Sequence, residues 1–176
     1  QNFPRKFKIS FSGNEESINL AKLLSGSEGT LAFTTAITLH LDDIPPEKKI
    51  IVAAHFHSIQ ESLKAVLVAM KHPLYMCELM DKTILDCTKN NREQLKNRFF
   101  IEGEPEAILM VEFRGNNLVE AKQQAEALEM NLKTAQLGYA YKLVEGDDCD
   151  KVWSLRKAGL GLLANIPGDA KAVACI

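Results

Sequence analysis

No apolar run in these 176 residues approaches the roughly 20 consecutive residues that a membrane-spanning helix needs. Cysteine is sparse and scattered. Cys77, Cys87, Cys149 and Cys175 contain no Cys-x-x-Cys pair, so zinc-binding and dithiol redox motifs find no support. Reduced thiols are the expectation. Neither sign of charge is in excess: 21 Lys and Arg stand against 23 Asp and Glu, a net charge of −2. That balance gives no electrostatic reason to expect nucleic acid or an anionic membrane as partner. Arg5-Lys6-Phe7-Lys8 is too short for a binding stripe and reads as solvated surface. The chain starts at Gln1 with no initiator Met and is expected to be an excised piece of a larger protein; a cytoplasmic location is expected. Peripheral attachment of a longer parent to a membrane is the alternative.

What the chain does have is a turn, Gly26-Ser27-Glu28-Gly29-Thr30, running straight into Leu31-Ala32-Phe33-Thr34-Thr35. Glycine lets main chain approach a ligand and adopt positive φ without a Cβ clash, and exposed N–H groups there can face an anion. Alone, such a pair is more often an ordinary turn.

Around that turn, Asn14 or Ser12 is placed to cap a helix through Leu24, and Leu31 to Leu41 reads as a strand rich in β-branched residues. Asp42-Asp43-Ile44-Pro45-Pro46 marks a domain boundary. Ile50 to Phe56 is a nearly continuous apolar run, the pattern of a strand buried on both faces. Ser58-x-x-Glu61 is a capping box opening a helix whose apolar stripe is Leu63, Val66, Leu67 and Met70. Leu74 to Leu79 reads as a strand, with a short helix from Asp81 to Lys89. Ala107 to Arg114 is another strand. Asn117-x-x-Glu120 opens a helix burying Ala121, Ala125, Leu128 and Leu132, which Gly138 stops. Tyr139 to Glu145 is a strand, and Asp148 to about Ala164 is a helix. Pro167-Gly168 then turns the chain into a last strand. This order predicts an α+β fold, a ferredoxin-like split βαβ antiparallel sheet with both helices on one face.

Several ordered motifs carry a resemblance. Gly26-Ser-Glu-Gly-Thr-Leu before a Thr-rich strand and a Pro-Pro exit, Glu78-Leu-Met-Asp81, Trp153-x-Leu-Arg156-Lys-Ala-Gly and Pro167-Gly-Asp-Ala-Lys171 occur in sequence. Together they resemble the FAD-linked oxidases of the glycolate oxidase and D-lactate dehydrogenase type, within the vanillyl-alcohol oxidase group. The resemblance covers residues 18 to 176. It implies that residues 1–46 are the C-terminal remnant of an FAD-binding domain and residues 47–176 a truncated substrate-side domain. The family's histidine-rich motif, His-x-Gly-Asp-Gly-Asn-x-His, is expected beyond Ile176.

The implied parent is an FAD-dependent oxidoreductase. It oxidises a small 2-hydroxy acid, such as D-lactate or glycolate, to the 2-oxo acid by hydride transfer to flavin. The resemblance puts Gly26, Ser27, Glu28, Gly29, Thr30, Phe33 and Thr35 against FAD. It puts Arg156 and Lys171 on the substrate carboxylate, a task that suits a forked, permanently charged donor. Two departures stand out: Ala32 replaces a further glycine, and Leu160 replaces a Thr that some members carry one turn after the Arg. No catalytic residue and no metal ligand are assigned in this chain. The general base is expected downstream, and the fragment alone is expected to be inactive. A homodimer and a fused or associated iron–sulfur protein in the parent stay open, as does the electron acceptor.

Other readings compete. The chain is alternatively a non-catalytic ligand-binding or assembly module, since this fold serves many functions, or a flavoenzyme of the same group acting on another alcohol. His55-x-His57 places both rings on one strand face; with no third ligand evident, strand-end histidines are the better account. Glu78 and Asp81 form a formal acid pair, for which a strand end and a helix cap are the simpler reading. The methionines read as core filler.

Overall fold

The computed structural model describes residues 7–11, 14–18, 20–165 and 168. Contacts divide the chain into two units, residues 1–43 and 44–176.

In the first unit, β1 (Phe7–Phe11) and β2 (Asn14–Ile18) form an antiparallel hairpin, with Phe7 opposite Ile18 and Phe11 opposite Asn14. A short helix, α1 (Leu20–Ser25), follows. The helix expected from Asn14 is therefore confined to Leu20–Ser25, because Asn14 to Ile18 is taken up by pairing with β1. Leu31 to Leu41 is not a strand. Its odd-numbered positions other than Thr35 are large and apolar, but a strand exists only where a neighbour takes its N–H and C=O groups, and the described residues supply none. Phe33 and Leu41 are accordingly 92% and 80% exposed.

The second unit is built on a four-stranded antiparallel sheet. Its strands are β3 (Lys48–Phe56), β4 (Met76–Asp81), β5 (Ala107–Gly115) and β6 (Ala140–Glu145), in the order β4-β5-β3-β6. The crossover helices α2 (Ile59–Ala69) and α5 (Leu118–Thr134) share one face, over a core of Ile50, Val52, Phe56, Leu109, Val111 and Phe113. This is the split βαβ arrangement that the order of elements predicts. The opposite face is covered as well. There α3 (Lys82–Lys89), α4 (Arg92–Leu95), a 3₁₀ turn (Lys96–Arg98) and α6 (Asp148–Ala164) close over Ile51, Ala53, Ile108, Met110 and Val144. Central strands between two helical layers explain why Ile50 to Phe56 is buried without alternation.

In the second unit the caps read from sequence are present, whereas Asn14 caps no helix and instead opens β2. Ser58 Oγ accepts from the Glu61 N–H at 3.2 Å, Asp81 from Ile84 at 3.0 Å and Asn117 from Glu120 at 2.9 Å. The helix-end reading needs a change. α5 stops at Gln136, which takes the left-handed conformation (φ 54°). Gly138 (φ 90°) serves another purpose, since a Cβ there would lie 3.1 Å from the His55 carbonyl oxygen.

The stripe of α2 is also not the expected one. Ser62, Ala65 and Ala69 face the core, with Val66 packed at its margin. Leu63, Leu67 and Met70 are 56%, 69% and 63% exposed. Small side chains bring this helix close to the sheet and turn the large ones outward. The expected strand after Pro167 lies outside the described residues. Among those residues, no helix is long and apolar enough to cross a membrane.

Candidate functional site

α6 opens on Asp148 and Asp150, whose charges suit the positive end of the helix dipole. It buries Cys149, Val152 and Leu155 against the sheet. Burial pushes the Cys149 thiol up to about 11. Trp153 and Arg156, three residues apart, occupy neighbouring places along the helix, and each meets a carboxylate from the strands beneath.

The first carboxylate is Glu112 of β5, 1% exposed. Trp153 donates its indole N–H to Oε2, and Arg114 donates Nε–H to Oε1 at 2.6 Å. Both oxygens of a buried charge are thus satisfied, the condition under which such a charge is tolerated. The Arg114 guanidinium also stacks over the Tyr75 ring at 4.0 Å.

The second is Glu78 of β4. Its register opposite Met110 points it to the α6 face, where it forms an ion pair with Arg156 through Nε. The Arg156 side chain remains 43% exposed and that of Glu78 29%. Arg156 is therefore neither loose on the surface nor sealed in the core. It is a guanidinium ion-paired on one side and still partly open to solvent, an arrangement suited to a carboxylate or another oxyanion.

Gly159, one turn further along α6, sets the closeness of the packing. A Cβ there would lie 2.6 Å from Ile84 Cγ2 of α3.

The other sequence-derived candidates divide clearly. Lys171 lies outside the described residues. Glu78 and Asp81 do not work as a pair, since Asp81 caps α3 while Glu78 holds Arg156. His55 and His57 do converge, both on Tyr139; His57 stacks on its ring at 4.3 Å. His55 is buried, accepts at Nε2 from the Glu102 N–H at 3.1 Å and lies 3.3 Å through Nδ1 from the Ala140 carbonyl. Nδ1 is thereby the donor, and neither nitrogen is left for a metal. Burial lowers its pKa below 6.5. Among the described residues, no group of three or more His, Cys, Asp or Glu is placed to hold a metal ion.

A cleft beside α3 is lined by Ile59, Asp81, Lys82, Cys87, Asn90 and Leu162, among others. Its lysine is already paired: Lys82 meets Asp86 at 3.9 Å and Glu104, outside the lining, at 3.7 Å.

In the first unit, Glu28 and Gly29 both take positive φ, 48° and 77°. The turn closes through the Ser27 N–H to the Leu24 carbonyl at 3.1 Å and the Thr30 N–H to the Ser27 carbonyl at 2.9 Å. Ser27 and Thr30 spend their hydroxyls on the same two carbonyls. A Cβ at Gly26 or Gly29 would meet nothing within 4 Å, so main chain here is uncovered by the described residues. Phe33 and Thr35 follow, both exposed.

Sequence reasoning missed Glu112 and the pairing role of Glu78. A Glu inside an apolar strand run, Ala107 to Phe113, was the available signal for Glu112, because such a charge demands partners.

Comparison with known proteins bears on this arrangement. The family model for FAD linked oxidases, C-terminal domain, matches residues 45–176. The D-2-hydroxyglutarate dehydrogenase of Haemophilus influenzae is 28% identical over 174 residues, covering 93% of this chain and 17% of its own length. The enzymes of that name from Pantoea ananatis and Escherichia coli are 25% and 22% identical, with the same coverage. The chain thus spans about 17% of the length of these relatives.

Proposed function

Because the chain belongs to the family of FAD linked oxidases, C-terminal domain, we propose that it is a segment of an FAD-dependent dehydrogenase that oxidises a small D-2-hydroxy acid to the 2-oxo acid. The observation that carries this reading is Arg156, anchored by Glu78 and still 43% exposed. It is a receptor for the carboxylate that every 2-hydroxy acid presents next to its reacting carbon. Fixing that carboxylate fixes the reacting carbon one bond away, which is the positional part of catalysis. Lys171 is assigned the second positive charge on the strength of the resemblance. The names of the relatives put D-2-hydroxyglutarate ahead of D-lactate and glycolate as the substrate to test, and its second carboxylate gives two cations separate tasks.

The turn in the first unit fits an FAD contact. Gly26 and Gly29 leave the main chain uncovered, and Glu28 and Gly29 hold their N–H groups between the two hydrogen-bonded ends of the turn. Ser27, Thr30, Phe33 and Thr35 complete the proposed contact. FAD, when bound, supplies the two-electron acceptor that no side chain can. Residues 1–46 are proposed as the end of the FAD-binding domain. The alternating, exposed Leu31, Phe33, Ile37, Leu39 and Leu41 are then one face of a strand completed by that domain's sheet. No residue of this chain is assigned as the general base.

The test is a visible spectrum and a substrate panel on the full-length protein that carries this chain. Flavin absorption and turnover of D-2-hydroxyglutarate are expected. Arg156→Ala should raise KM at least about tenfold, the equivalent of one charge-assisted hydrogen bond. A protein without flavin that takes up no added FAD refutes the reading.

A further inference from the structure

The Arg156–Glu78 contact joins the last helix to an edge strand, and sequence spacing gives no reason for it. Glu78 occupies the α6-facing side of β4 between Met76 and Met80, of which Met80 is fully buried. A carboxylate there is costly unless it is paired. Its neighbour across the sheet, Met110, is also fully buried and offers no hydrogen bond. Arg156 is the cation that compensates it. The nearest approach is made by Nε, and the Arg156 side chain stays partly exposed beside the pair, which leaves the guanidinium a face for a second oxyanion. An arginine side chain has several rotatable bonds and loses much conformational freedom when it binds a ligand. A carboxylate already holding one nitrogen removes part of that cost in advance.

We propose that Glu78 is a positioning residue for anion recognition, holding the Arg156 guanidinium by ion pairing so that its exposed side faces the substrate carboxylate. Trp153, bonded to buried Glu112 one turn earlier on α6, fixes the helix rotation on which this geometry depends. The inference rests on the proposed function, because it takes the anion to be the substrate carboxylate.

Kinetics of the full-length flavoenzyme with D-2-hydroxyglutarate test it, using Glu78→Ala, Glu78→Gln and Arg156→Ala. Gln keeps a polar oxygen beside the guanidinium without the charge, whereas Ala keeps neither. Glu78→Ala should raise KM about tenfold with kcat within about twofold, the pattern of lost binding shared by ground and transition states. Glu78→Gln should recover most of that loss. A general structural defect would instead lower active flavoprotein content and leave the KM of the surviving enzyme unchanged. If Arg156→Ala raises KM while Glu78→Ala does not, the positioning role is overturned and the proposed function stands. If Arg156→Ala leaves KM unchanged, both fall.

Discussion

Replacing Gly159 by Ala sets two effects of known size against each other. In the interior of a helix, Gly→Ala is favourable by about 1 kcal/mol, because Ala restricts the unfolded chain and Gly does not. At this position, however, the new methyl would sit 2.6 Å from Ile84 Cγ2, against about 3.5–4.0 Å for an ordinary carbon contact. Ile84 is β-branched and helical, with one strongly preferred χ1, so its methyl does not swing aside cheaply. Overpacking of this kind costs about 1–3 kcal/mol, and the clash should outweigh the propensity gain. The expected outcome is a net destabilisation of about 1 kcal/mol. Gly161, two residues on, is the control: a Cβ there meets nothing within 4 Å, and Gly161→Ala should stabilise by about 0.5–1 kcal/mol. Urea unfolding followed through Trp153, the single tryptophan, reads both, with unchanged m-values as the check on the comparison. In an Ile84→Ala background the Gly159→Ala penalty should vanish, giving a coupling of about 1–3 kcal/mol. A Gly159→Ala protein as stable as Gly161→Ala would refute the reasoning and, with it, the close α3–α6 packing that places Arg156 over Glu78.

Other expectations follow from the same structure. Leu67→Ala should change stability by less than about 0.5 kcal/mol, whereas Ala65→Leu, at a fully buried position, should cost about 1–3 kcal/mol; urea midpoints decide, and equal effects would contradict the observed orientation of α2. His55 is held neutral, its pKa lowered by burial. The unfolded chain therefore takes up the proton first, and stability should be full above pH 6.5 and fall below it until the folded-state pKa is passed. The slope is at most about 1.4 kcal/mol per pH unit, and His55→Gln should abolish this component in pH-dependent urea titrations. Cys149, buried with its thiol pushed up to about 11, should resist iodoacetamide at pH 8 until urea unfolds the chain, with peptide mass mapping as the measurement. Labelling of Cys149 in the native state at the rate seen in the unfolded chain would show that α6 does not cover it.

The sequence by itself determined the elements whose causes are local. Capping side chains at Ser58, Asp81 and Asn117 sit three residues before the N–H they satisfy, so the starts of α2, α3 and α5 were legible. So was the burial of Ile50 to Phe56, because an apolar run broken only by His55 has only one economical place in a mixed fold. Strand and helix order then dictated the sheet. The motif Trp153-x-Leu-Arg156 likewise marked α6 as the helix carrying the candidate site.

Tertiary contacts decided what distance along the chain hides. α2 carries two apolar faces, and only packing showed that the small one, Ser62, Ala65 and Ala69, lies inside. Leu31 to Leu41 has the alternation of a strand, yet alternation cannot provide the neighbour whose hydrogen bonds make one. The partners of Arg156 and Trp153 lie 78 and 41 residues away, at Glu78 and Glu112. No local rule links positions so far apart; sheet register and the approach of α6 allowed by Gly159 bring them together. Charge type was written in the sequence, while the orientation that makes Arg156 a candidate receptor arises only where the helix meets the sheet.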